Sequence, residues 1–293
     1  MKMPVLFLAL LMIALPACAE TRLEKWRETR EHRAEGKRLL NQEPQGVIFD
    51  NFEGREILVH VAPNARPQNR AMVVVLHGGM GNANHIRNVL GMNEAADEGG
   101  FIVVYLNGSK ASKRLGDEYH AWNAGGGCCG QPFQTNVDDI GYITRAIDYL
   151  AAKYSVDKKQ VFGMGHSNGA MMTQLLMCKT DLYQAIIPIS GPLNIDAQSC
   201  PPAYHKKILA IHGTADENVP INGGKGTKGI TDIDYKSQSY AKGAFEESSA
   251  TYTIDALPGV DHNLEHIRDY MFKRDGRTLG QSVALFFGIA PKQ

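Results

Sequence analysis

Residues 161–179 read VFGMGHSNGAMMTQLLMCK. The stretch opens as an apolar strand, turns at Gly165-His166-Ser167-Asn168-Gly169, and continues as a run of good helix formers. A G-x-S-x-G sequence has little meaning in isolation. Between a strand and a helix it has a mechanical one, because a sharp turn lifts the serine hydroxyl clear of the sheet. The glycines allow backbones to approach where a side chain would collide. The same turn sets Ser167 at a helix N-terminus, where backbone N–H groups favour negative charge. An ordinary Gly-rich turn is the competing reading, and the rest of the chain decides between them.

Apolar runs alternate with helical patterns on both sides of this turn. EILVHV, AMVVVLHGG, FIVVYLNG, AIIPIS, KILAIHG and TYTIDALPG read as strands. IGYITRAIDYLAAKY has apolar residues at 140, 143, 147 and 150, the spacing of a helix face, with Thr135 or Asn136 as its expected cap. Residues 235–248 and TLGQSVALFFG read as further helices. Such alternation implies an α/β fold with a mostly parallel sheet covered on both faces. There is no internal repeat and no linker, so residues 46–293 are expected to form one domain, with 20–45 a charged helix or linker ahead of it.

The chain has 293 residues, 43 % of them hydrophobic, with 31 Lys+Arg balanced by 31 Asp+Glu. This composition excludes a disordered chain, a collagen and a multi-pass membrane protein. Charge balance also argues against nucleic-acid binding, which needs a basic stripe. Residues 1–19 have the pattern of a signal peptide: Lys2, an apolar run from Val5 to Leu15, and an A-x-A site at Ala17-Cys18-Ala19. Leu15-Pro16-Ala17-Cys18 is the rival, a lipobox that would make Cys18 a lipid anchor. Either reading exports the protein. Four cysteines then remain, Cys128, Cys129, Cys178 and Cys200, and Cys178–Cys200 is the expected bridge. The use of the adjacent Cys128 and Cys129 stays open.

A serine needs a base, and the base needs an acid to orient it. His205, His212, His262 and His266 follow Ser167. His262 lies in a loop after the TYTIDALPG strand, where the base of such a fold belongs; His266 is the second candidate. Asp216 lies just past the KILAIHG strand, where the acid belongs. His77-Gly78-Gly79-Met80 follows another strand and supplies an oxyanion donor, Gly79 N–H or else Met80 N–H, beside that of Asn168. His262-Asn263-Leu264-Glu265-His266 also spells a zinc motif, H-x-x-E-H, but little chain remains downstream for a further ligand. Neither the glycines of 125–130 nor GGKGTK at 223–228 make a nucleotide fingerprint. No cofactor or metal is indicated.

VVVLHGG, WNAGGGCCG, NVDDIGYITRAIDYLAAKYSVD, GHSNGAMM and IHGTADENVPINGG together resemble the exported esterases of carbohydrate esterase family one. That family includes polyhydroxybutyrate depolymerases and feruloyl and acetyl xylan esterases. The resemblance implies an α/β-hydrolase fold, the triad Ser167, Asp216 and His262, and a substrate pocket near Trp122, Met80 and Cys129. It implies a serine ester hydrolase acting on a small ester or an ester-decorated oligosaccharide. A serine peptidase and a binding protein with a vestigial triad are the alternatives. Two features depart from the family. Asn263-Leu264-Glu265 stands where an aromatic Trp-Pro pair often follows the histidine, and no polymer-binding domain is present.

Overall fold

The structure is a computed structural model that describes residues 46–229 and 232–291. The expected signal peptide, its lipobox alternative at Cys18 and the charged 20–45 segment lie outside the described residues.

The main sheet has eight strands: β1 (Ile48–Phe52), β2 (Arg55–Val61), β3 (Arg70–Leu76), β4 (Ile102–Leu106), β5 (Val156–His166), β6 (Ala185–Ile189), β7 (Lys207–Gly213) and β8 (Thr251–Leu257). Their spatial order is β1-β2-β4-β3-β5-β6-β7-β8. β2 runs antiparallel to β1 and β4; the other neighbours are parallel. The helices are α1 (Ala83–Leu90), α2 (Met92–Gly99), α3 (Gly130–Gln134), α4 (Asp139–Tyr154), α5 (Asn168–Lys179), α6 (Gln238–Glu246), α7 (Leu264–Asp275) and α8 (Leu279–Phe287).

The strands divide their side chains between two cores because successive residues point to opposite faces. In β3, Met72, Val74 and Leu76 enter the core under α4, α5 and α6. Val73 and Val75 enter the other, under α1, α2, α7 and α8. Each such fully buried aliphatic side chain stabilises the fold by about 1.5–3 kcal/mol. Helix α5 is buried on every side from Asn168 to Cys178, as a central apolar helix must be.

The chain leaves β3 for β4 on one side and returns to β5 on the other. The carboxyl ends of β3 and β5 therefore lie side by side, with Leu76 paired to Gly165. Such a switch point opens a crevice at the strand ends.

Several local expectations are corrected. Helix α4 is capped by Asp138, whose carboxylate accepts from Gly141 N–H at 2.8 Å, and not by Thr135 or Asn136. The separate short helix α3 runs to Gln134, so Thr135 closes that helix. The segment around 107–135, read as irregular, contains α3 and a two-stranded ribbon of Ser109–Lys110 with His120–Ala121. Cys178 and Cys200 are bridged as expected, and Cys128 is bridged to Cys129.

One buried ion pair fastens this segment to the sheet. Arg55 on β2 donates to Asp139 at 2.6 Å, and the Asp139 side chain is fully buried. Burial pushes the Asp139 carboxyl up, and the Arg55 guanidinium opposes the shift. Arg55→Leu strands that charge and should cost about 3–5 kcal/mol in urea unfolding. Adding Asp139→Asn to the same chain should recover part of the loss.

Candidate active site

Ser167 sits between β5 and α5 with φ 55° and ψ −121°, a strained backbone for a residue with a side chain. Tight packing holds it there. A Cβ on Gly165 would collide with the carbonyl of Gly169, and one on Gly169 with the carbonyls of Leu76 and His77. Ser167 N–H donates to Ile189 O at 2.8 Å, which ties the turn to β6.

Three side chains from three loops converge at the turn. Ser167 Oγ lies 2.9 Å from His262 Nε2, and His262 Nδ1 lies 2.7 Å from Asp216 Oδ2. Asp216 follows β7, and His262 precedes α7. The carboxylate is held by further donors: Asn218 N–H and Val219 N–H reach Oδ1 at 2.9 and 2.8 Å. His212 Nε2 reaches Oδ2 at 3.1 Å. The side chain of Asp216 is wholly buried, and burial pushes its carboxyl up. The hydrogen bonds from His212, His262 and Val219 outweigh that and hold it well below the usual carboxylate range. This array can take a proton from the serine while the carboxylate stays ionised.

Buried groups that the sequence did not single out support the array. His212 Nδ1 accepts from Gln238 Nε2 at 2.9 Å, and Tyr252 OH bonds Gln238 Oε1 at 2.7 Å. All three residues are buried. His166, the variable residue ahead of the serine, donates from Nε2 to the carbonyl of His262 at 2.9 Å. Its position beside Ser167 was the available signal.

The N–H groups of Gly79 and Asn168 have no hydrogen-bond partner among the described residues. Met80 N–H donates to His120 O at 2.8 Å, so of the two N–H groups expected from that turn only that of Gly79 has no partner among the described residues. Met80 has φ 64° and is partly exposed, as is Cys129. Trp122 is fully buried. His266 stands apart from Ser167 and pairs with Asp261 at 2.9 Å on the surface. Among the described residues no group of three or more His, Cys, Asp or Glu is placed to hold a metal ion.

Over parts of its length the chain is similar to known proteins. Residues 92–204 match the prolyl oligopeptidase family, a span that includes Ser167 but not Asp216 or His262. The chain is 29 % identical over 169 residues to the bifunctional acetylxylan esterase/xylanase XynS20E of Neocallimastix patriciarum, covering 56 % of this chain and 22 % of that protein. It is 30 % identical over 132 residues to feruloyl esterase B of Neurospora crassa, covering 44 % and 41 %. The chain spans less than two thirds of the curated relatives it matches. Among solved structures, an acetyl xylan esterase from Aspergillus awamori superposes with a TM-score of 0.56 at 16 % identity, over 84 % of this chain and all of that one.

The chain has the α/β-hydrolase fold. The mostly parallel central sheet covered on both faces and the strand–turn–helix at Ser167 are those the sequence led us to expect.

Two histidines of the α/β-hydrolase site make it acid-sensitive. Burial depresses both His77 and His166 to about 3, against about 6.5 for a free imidazole. Between those values the unfolded chain binds two protons that the folded chain does not, so stability falls as pH drops through that window. The slope is about 2.7 kcal/mol per pH unit for the pair. Urea unfolding at a series of pH values between about 7 and 5 should show it. His166→Gln should remove about half of that contribution.

Proposed function

We propose that the protein is a carboxylic ester hydrolase that works through an acyl-enzyme. The observation that carries this reading is the Ser167–His262–Asp216 relay at 2.9 and 2.7 Å, beside two unpartnered N–H groups. Ser167 Oγ attacks the ester carbonyl as His262 Nε2 takes its proton. The carbonyl oxygen becomes an oxyanion held by the N–H groups of Gly79 and Asn168. His262 returns the proton to the departing alcohol. Water, activated by the same imidazole, then releases the acid and frees Ser167.

The relatives named acetylxylan esterase and feruloyl esterase support aromatic or short acyl esters of plant-derived sugars as substrates. Soluble hydroxyalkanoate oligomers are the second substrate class that the sequence motifs support. The match to the prolyl oligopeptidase family keeps one other reaction in view, peptide hydrolysis by the same relay. Two disulfides support an oxidising compartment and hence export. No helix among the described residues is long and apolar enough to cross a membrane.

Initial rates on methyl ferulate, p-nitrophenyl acetate, a 3-hydroxybutyrate dimer ester and a peptide anilide test the reading. Esters should be turned over in preference to the anilide. Ser167→Ala should lower the rate by about 10⁴-fold or more. An anilide preference would favour the peptidase reading, and equal rates in Ser167→Ala would refute the mechanism.

A further inference from the structure

We propose that Trp122 is a positioning residue that sets the two oxyanion donors against each other. The inference rests on the ester-hydrolase reading above and concerns how its oxyanion site is built.

Trp122 has no exposed surface, so its contacts are all internal, and its polar ones run to both halves of the oxyanion site. On one side its peptide is clamped by the Asn168 carboxamide. Trp122 N–H donates to Asn168 Oδ1 at 2.8 Å, and Asn168 Nδ2 donates to Trp122 O at 3.0 Å. The side chain thus pairs with the Trp122 backbone as a neighbouring strand would, and it orients the residue whose own N–H faces the oxyanion. On the other side the indole Nε1–H donates to His77 O at 3.0 Å. That carbonyl is two residues before Gly79. The two donor residues are themselves close: a Cβ on Gly79 would lie 3.5 Å from Asn168 Cβ.

Trp122 is in turn braced from behind. Its carbonyl also accepts from Cys129 N–H at 3.1 Å. Next to it, Asn123 N–H donates to Asp139 Oδ2 at 2.7 Å, and Asp139 is the carboxylate paired with Arg55. A continuous run of polar contacts therefore links β2 to the oxyanion site. A buried indole needs only one acceptor, which any carbonyl could provide. Here the acceptor belongs to the turn that carries Gly79, while the same residue's peptide holds Asn168.

An oxyanion donor acts only within about 2.7–3.1 Å of the developing charge, and losing one costs about 10²–10³-fold. Displacing a donor costs less than deleting it. Trp122→Phe keeps the ring in the core but removes the N–H to His77. It should lower kcat for p-nitrophenyl acetate by about 10- to 100-fold and leave KM within about twofold. A trifluoromethyl ketone gives a second readout. Ser167 Oγ adds to its carbonyl carbon, the proton passes to His262, and the new oxyanion occupies the same site. Its Ki should rise by the factor by which kcat falls, whereas a purely structural role would not tie the two together.

Asn168→Ala keeps the backbone N–H, removes the clamp from the other side, and should show the same linked changes. It also carries the test if Trp122→Phe does not unfold cooperatively. Wild-type kcat and Ki in a folded Trp122→Phe would overturn the proposal, as would a fall in kcat with unchanged Ki. Wild-type protein without Ser167-dependent ester hydrolysis would instead overturn the functional reading, and this one with it. That control precedes the variants, so the two failures are distinguishable.

Discussion

The contact between the start of α5 and the end of β3 is the constraint on which the site depends. Gly169 rests directly against the carbonyls of Leu76 and His77. Only that approach lets the chain reverse within one residue and hold Ser167 at φ 55°. Strain of this kind persists when its surroundings over-determine it. The surroundings here are the eight-stranded sheet, whose central strands β3 and β5 are buried on both faces. The same contact brings the β3 turn and the α5 N-terminus together, so one close approach shapes both the Ser167 turn and the proposed oxyanion site.

Around that contact the polar groups form two buried systems. One runs from His262 through Asp216 to His212, Gln238 and Tyr252. The other runs from Arg55 through Asp139, Asn123 and Trp122 to Asn168 and His77. Buried polar networks stabilise a unique arrangement when every member finds a partner. Among the described residues these two come together at the Ser167 turn. On the proposed mechanism the first orients the base, and the second orients the groups that would hold the substrate oxygen.

Most of this fold was legible because its central strands are uninterrupted apolar runs, such as MVVVL and IVVYL. The strand β1 was not legible. It lies at the sheet edge, with Ile48, Phe49 and Asn51 exposed, so it carries no burial pattern. Helices α1 and α2 are short, and Gly91 in a left-handed conformation divides them. Helix α7 buries only Leu264, Ile267 and Met271 among many charges, which hides its apolar face. At the site, chain order and strand ends picked out Ser167, Asp216 and His262, which the structure brings within hydrogen-bonding distance. His212 and His166 were passed over because their roles depend on strand register and loop packing, which no local pattern encodes. Trp122 was expected near the pocket from family resemblance, and its full burial below the site is a tertiary fact.

The bridge between Cys178 and Cys200 has a consequence for how such a site can diversify. Cys178 closes the helix that begins beside Ser167, and Cys200 stands a few residues before β7, the strand that leads to Asp216. The polypeptide between them forms a closed loop, shut at its base by a covalent link and by the pairing of β6 with β5 and β7. Residues could be gained or lost in its outer, partly exposed part, between Ile195 and Ser199, while the helix that follows Ser167 and the strand that leads to Asp216 keep their separation. The bridge insulates the spacing of Ser167 and Asp216 from changes in the length of that segment.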